Sequence, residues 1–346
     1  MPIETRFCVL LLAFLPFTAP ASAQQNTPAG QSPAKLSLDV VVTQSSGPPV
    51  PGLRQQDFTL FDNKTPQPIT SFHALGGSQA PIKVILLVDA VNVPYERIPY
   101  ERDQIDRFLR ANNGHLAHPT TLAIFTDNGT QIQEDASSDG SALSSSLDKA
   151  AIGLRTIRRS SGFYGADERV QLSLDALHQL AAREATRPGR KIILWVSPGW
   201  PLLSGPRIDL SWKQRQRIYD EIVNLSTALR QARITLYSID PIGVSESLLR
   251  TSYYKEFVKG VSKPNDVLLG DLSLQVLATQ TGGLVLNASN DITAQLQQCV
   301  ADTDAYYEFS FNPPPADQSG EYHHVEIQVA KPGLTARTRQ GYYSQP

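Results

Sequence analysis

Three aspartates and a serine stand where apolar runs give way to polar turns, and they are the side chains best placed to do chemistry. Asp89 closes the apolar run 82–88, Asp127 follows the run 121–125, Ser197 closes 191–196 and Asp240 closes 234–239. A row of carboxylates offers hard oxygen ligands to Mg²⁺ or Mn²⁺, or groups for acid–base catalysis. Aspartate is also favoured in the turns that follow strands, where it bonds nearby backbone and caps the next helix. Chemistry therefore requires the three carboxylates to converge, which spacing along the chain does not decide.

Other catalytic patterns are missing. Ser197 reads VSPG (196–199) and not G-x-S-x-G, and the chain has no G-x-x-x-x-G-K-[ST], no H-E-x-x-H and no metal-spaced Cys/His set. His323 and His324 are adjacent on a strand-like run and point to opposite faces, so one ion cannot take both. His115 and His118 fall in NNGHLAHP (112–119), which reads as a solvated loop. Lys149, Arg155, Arg158 and Arg159 form a local basic patch beside SSGFYG (160–165), the pattern of a solvated face or a binding loop.

The elements that position these residues alternate. The runs 82–88, 121–125, 191–196 and 234–239 are apolar at nearly every position, as in strands of a parallel sheet covered on both faces. Amphipathic segments lie between them: Ile105/Phe108/Leu109, Leu143/Leu147/Ala151, Val170/Leu174/Leu177/Ala181 and Ile218/Ile222/Leu225/Leu229. Ser211 with Gln214 is a capping box for the last of these. A further helix over 271–281, stopped by Gly282-Gly283, and a short strand 284–286 complete a doubly wound α/β domain over 81–302. Alternating runs at 36–42, 58–61 and 69–72, and again at 306–311, 322–329 and 334–339, give two β segments (35–76 and 303–343). Each is too small to be stable alone. The economical arrangement pairs them in one small β-sandwich, with the α/β domain inserted between its strands.

The first 23 residues have the order of a secretory signal: Arg6, the apolar run 7–17, then Ala21-Ser22-Ala23. The run is too short to span a bilayer, and no later stretch is long enough. Residues 24–34 read as a linker. Cleavage after Ala23 removes Cys8 and leaves Cys299, which shares a helical face with Ile292 and Leu296 and reads as a core residue. With 31 Lys+Arg against 33 Asp+Glu, the net charge of −2 excludes a basic nucleic-acid binder.

The combined motifs resemble a known family. An apolar strand ending in Asp89 at the start of an open α/β domain is similar to the von Willebrand factor type A fold, a Rossmann-like architecture. GLRQQDFTLFD (52–62), PGRKIILWVS (188–197) with Gly199, ITLYSIDPIG (234–243), TGG (281–283), Tyr306-Tyr307 and GYY (341–343) resemble exported VWFA-related proteins of acidobacteria over nearly all of 35–343. The resemblance implies the fold, export and an interaction role. Type A domains that bind a divalent ion use D-x-S-x-S after the first strand, a threonine from a later loop and an aspartate after the fourth strand. This chain has DAVNV (89–93), with valine at both serine positions, and Ser197 at the fourth-strand position. Asp89 remains, and Asn92, Ser197 and Asp240 are the residues that would make up a degenerate site with it. The expectation is a degenerate metal site, no cofactor (Mg²⁺ being the ion if one bound), and a metal-independent protein-interaction module. Its location would be periplasmic, cell-surface or extracellular, its partner a protein of the cell envelope, and its contact rim Tyr95, Tyr100, Tyr164 and Trp200. The competing expectation is a metal-dependent hydrolase using Asp89, Asp127 and Asp240.

Overall fold

A computed structural model describes residues 35–45, 47–77, 80–150, 162–200, 210–243, 252–316 and 318–345, without the side chains of 162–164. The expected signal and linker segments, and most of the basic patch, lie outside the described residues. The chain begins with β1 (Leu36–Gln44), β2 (Phe58–Asp62), β3 (Thr65–Gln67) and β4 (Ser71–Leu75). It continues with β5 (Ile82–Asp89), α1 (Ile98–Arg110), β6 (His115–Thr126), β7 (Gly129–Ile132), β8 (Ser137–Asp139), α2 (Gly140–Ala150) and α3 (Gly162–Ala185). Then follow β9 (Arg190–Val196), α4 (Trp212–Gln231), β10 (Ile234–Ile239), α5 (Leu274–Gln280), β11 (Val285–Leu286) and α6 (Ile292–Ala301). The last strands are β12 (Tyr306–Phe311), β13 (Tyr322–Val329), β14 (Leu334–Arg337) and β15 (Gly341–Tyr343).

Because β5, β9 and β10 are apolar on both faces, each can be buried between two helix layers, and the chain uses them so. The sheet order is β11-β10-β9-β5-β6-β7, parallel from β11 through β6, with β7 and β8 antiparallel on β6. Counted from β5, this is the doubly wound order 3-2-1-4-5-6, with the switch point between β5 and β9. Alternation along each strand divides the core. Ile85, Leu87, Ile193 and Trp195 pack with α3, α4 and α5, whereas Leu86, Val88, Leu194 and Val196 pack with α1, α2 and α6. Cys299 is buried in the second of these clusters, and burial raises its thiol pKa well above the ordinary value.

Strands from the two chain ends pair with one another. One four-stranded sheet runs β14-β1-β12-β4 and the other β15-β13-β2-β3, all antiparallel. Leu38, Val40, Leu60, Tyr307, Phe309 and Ile327 from both sheets share one hydrophobic cluster.

Three sequence expectations are corrected. The 271–281 helix is shorter: Leu269–Leu272 make one 3-10 turn, and α5 starts after Ser273. The chain adds two short strands at the sheet edge, β7 and β8, each antiparallel to β6; short polar edge strands carry no apolar period. His118 is not in a solvated loop but inside β6, 4% exposed, with Nε2 2.7 Å from the Thr303 hydroxyl.

Candidate functional site at the carboxyl edge of the sheet

The strand registers place Asp89, Ser197 and Asp240 in one row at the carboxyl edge. Val88 is level with Val196, and Val196 is level with Ile239, so Ser197 lies between the two aspartates. Two strand spacings separate Asp89 from Asp240, roughly 10 Å. Asp127 sits beyond the end of β6 in the tight turn to β7, and Asp240 Oδ1 accepts from the Ile242 amide at 2.9 Å. The hydrolase trio is therefore spread along the edge. Among the described residues no group of three or more His, Cys, Asp or Glu side chains is placed to hold a metal.

Asp89 is engaged by the protein itself. Its Oδ1 accepts from the amides of Val91 and Asn92, both at 2.8 Å, and so fixes the turn after β5. Its Oδ2 accepts from Asn92 Nδ2 at 2.8 Å, Trp195 Nε1 at 3.1 Å and Ser197 Oγ at 2.7 Å. Five donors meet about four lone-pair positions, and the side chain is 1% exposed. Val91 and Val93, the two positions compared above with serine, are buried. A divalent ion needs several free oxygens; of the side-chain oxygens in residues 89–93, Asn92 Oδ1 is buried without a partner and both Asp89 oxygens are engaged.

The hydrogen bonds extend into the next loop. Ser197 Oγ accepts from the Gly199 amide at 3.0 Å. Gly199 takes a φ of 82°, a left-handed conformation that turns the chain back toward the core. Trp200 consequently packs inward: it is 5% exposed, donates from Nε1 to the Leu272 carbonyl at 3.0 Å, and lies 5.4 Å from Trp195. That corrects its expected place on an exposed rim. Tyr95 and Tyr100 are exposed, at 63% and 40%, with the Tyr100 hydroxyl donating to the Asn290 carbonyl at 2.6 Å. Tyr164 lies in α3, with its side chain outside the described residues.

Two features escaped the sequence reading. Glu101 in α1 is 2% exposed, neither of its oxygens has a hydrogen-bond partner, and burial, assisted by the Asp89 charge, raises its pKa well above the ordinary value. Its position four residues before Ile105, on the apolar stripe, was the available signal. The other is Trp212, 66% exposed at the first turn of α4, with Leu268 at 52%.

No protein-family model matches the chain, and no curated protein sequence matches it. Solved structures do. It is similar to the manganese-loaded Plasmodium vivax TRAP protein at 12% identity, covering 78% of this chain and 96% of that one, with a TM-score of 0.37. It is similar to the open pilus adhesin SpaC of Lactobacillus rhamnosus GG at 9% identity, covering 86% of this chain and 48% of that one, TM-score 0.40. Proximal thread matrix protein 1 of the mussel byssus gives 10% identity, 70% of this chain and 51% of that one, TM-score 0.39. The chain thus spans about half the length of the mussel and SpaC proteins. Strand order, not these likenesses, defines the mixed α/β fold.

Proposed function

We propose that this chain is an exported protein-interaction module of type A architecture, used in adhesion or scaffolding, that engages a cell-envelope partner without a divalent ion. The observation that carries the reading is Asp89. The residue that would anchor an ion spends both oxygens on Val91, Asn92, Trp195 and Ser197, so residues 89–93 are a degenerate adhesion site. The contact surface is the carboxyl edge, where Tyr95 and Tyr100 stand exposed just before and within the first turn of α1. Aromatic side chains offer large contact area at low entropic cost. The two sheets built from both chain ends are read as a sandwich over 35–76 and 303–343 that carries the α/β domain of 81–302. Export rests on the signal-like order of residues 1–23.

The test is capture from a cell-envelope extract with the full chain, in Mg²⁺ and in EDTA. The expected result is equal capture in both conditions and at least about a tenfold loss for Tyr95→Ala/Tyr100→Ala, the size of a modest hot spot. Capture abolished by EDTA, or unchanged by the double substitution, would overturn the reading.

A further inference from the structure

A cavity of about 130 Å³ opens between the N-terminal halves of α3 and α4 and the 3-10 turn Leu269–Leu272. It lies on the same carboxyl edge as Asp89, on the opposite side of the sheet from α1. Its floor is apolar: Val170 and Leu174 of α3, Ile218 of α4, Leu272, and the Trp200 indole. Leu174, Trp200 and Leu272 belong to the buried core, so the floor is rigid and preformed. The Trp200 ring is fixed from behind by its bond to the Leu272 carbonyl and by Trp195, whose own indole is tied to Asp89.

The rim is charged and unequal. Asp167 and Glu221 line it against Arg217, and Glu221 Oε1 lies 2.7 Å from His178 Nε2. Two carboxylates, one of them shared with His178, face one guanidinium. The mouth continues into apolar surface, because Leu268 adjoins the lining residue Leu269 and is 52% exposed. Arg215 donates to the carbonyls of Asn265 and Val267 at 3.1 and 3.4 Å, tying the first turn of α4, which carries exposed Trp212, to that same segment. An apolar floor, few polar rim groups and a position at the carboxyl edge of the strands are attributes of a ligand site.

We propose that this cavity receives one aromatic or branched aliphatic side chain from an extended peptide segment of the partner, with a lysine or arginine next to it held by Asp167 and Glu221. The inference rests on the carboxyl edge being the contact surface, and it gives that surface a partner chemistry: an apolar anchor followed by a cation. The apolar anchor supplies the binding free energy and the carboxylate rim supplies the choice of neighbour.

The experiment titrates the full chain with acetyl-Phe-Arg-amide, acetyl-Phe-Glu-amide and acetyl-Arg-amide, following tryptophan emission and the Trp200 indole N–H resonance. The expected result is saturable binding of the Phe-Arg probe in the millimolar range with a shift of the Trp200 resonance. The Phe-Glu and Arg-only probes should bind at least about tenfold more weakly. Asp167 is exposed, so Asp167→Lys leaves the fold intact and should reverse the Phe-Arg over Phe-Glu preference. An absent or non-saturating Phe-Arg response, equal binding of the Arg-only probe, or an unchanged preference in Asp167→Lys each overturns the proposal. A chain that binds the Phe-Arg probe yet captures no envelope protein would sink the module and leave the cavity site standing. One that captures a partner through Tyr95 and Tyr100 while ignoring the probe would sink the cavity site alone.

Discussion

Two buried carboxylates, Asp89 at the end of β5 and Glu101 in α1, show how environment separates residues of the same chemistry. Asp89 is buried but surrounded by donors, and its oxygens accept five hydrogen bonds. Glu101 is buried without a donor, and Asp89 adds repulsion, so the folded protein holds its proton well above the ordinary carboxylate range. This has a pH consequence of definite sign. Below about pH 4 both folded and unfolded chains carry the Glu101 proton, and the group costs nothing. As pH rises the unfolded chain releases the proton while the folded chain keeps it, so stability falls until the folded-state value is reached. Glu101→Gln is accordingly expected to be more stable than wild type at neutral pH. The gain should vanish in acid. Urea unfolding across the pH range checks this, and a gain independent of pH would mean that ionisation is not the cause.

At the scale of elements, α4 carries the most independent stability signal. Ser211 Oγ accepts from the Gln214 amide at 3.4 Å while Gln214 Oε1 accepts from the Ser211 amide at 2.9 Å, satisfying donors that the first turn leaves free. The inner face then buries Ile222, Leu225 and Leu229 against the sheet. Ser211→Ala should cost about 1 kcal/mol and speed amide exchange in the first turn of α4, with the C-terminal turns unaffected. Uniform acceleration along the helix would point instead to global destabilisation. That same turn presents Trp212, so its order also governs the apolar surface beside the cavity.

At the scale of the whole molecule, one arginine ties the α/β layers to the strands from both chain ends. Asp39 of β1 stands directly opposite Glu308 of β12, a like-charge cross-strand pair that is unfavourable alone. Arg233, just after α4, bridges them through Nη2 at 2.5 Å from Asp39 and 2.7 Å from Glu308. Arg233→Leu leaves the two carboxylates facing each other in a part-buried junction and should cost about 3 kcal/mol, the lower end for breaking a buried pair. The triple replacement Asp39→Leu/Glu308→Leu/Arg233→Leu should recover most of that loss, because it removes the charges together. Urea midpoints of the two variants decide it: a triple variant no better than Arg233→Leu would show that the arginine acts through packing.

The sequence by itself determined the repeating elements. Strands apolar at every position and helices with apolar stripes have a period that burial imposes locally, so the doubly wound α/β core, the buried role of Cys299 and the cap at Ser211 were legible. The turn sequence at 89–93 also showed that serine oxygens were missing. Tertiary structure alone decided where side chains without a period point. Trp200 reads as a loop aromatic, yet a left-handed Gly199 and the Leu272 carbonyl turn it inward. Asp89 reads as a turn residue or a metal ligand, and only the tertiary structure brings Trp195 of β9 and Ser197 just after it, about a hundred residues later, onto its carboxylate. Glu101 sits on the apolar stripe of α1, and only the packing of that helix shows that it is buried without a partner. Each outcome depends on contacts between segments distant in sequence, which no local pattern encodes.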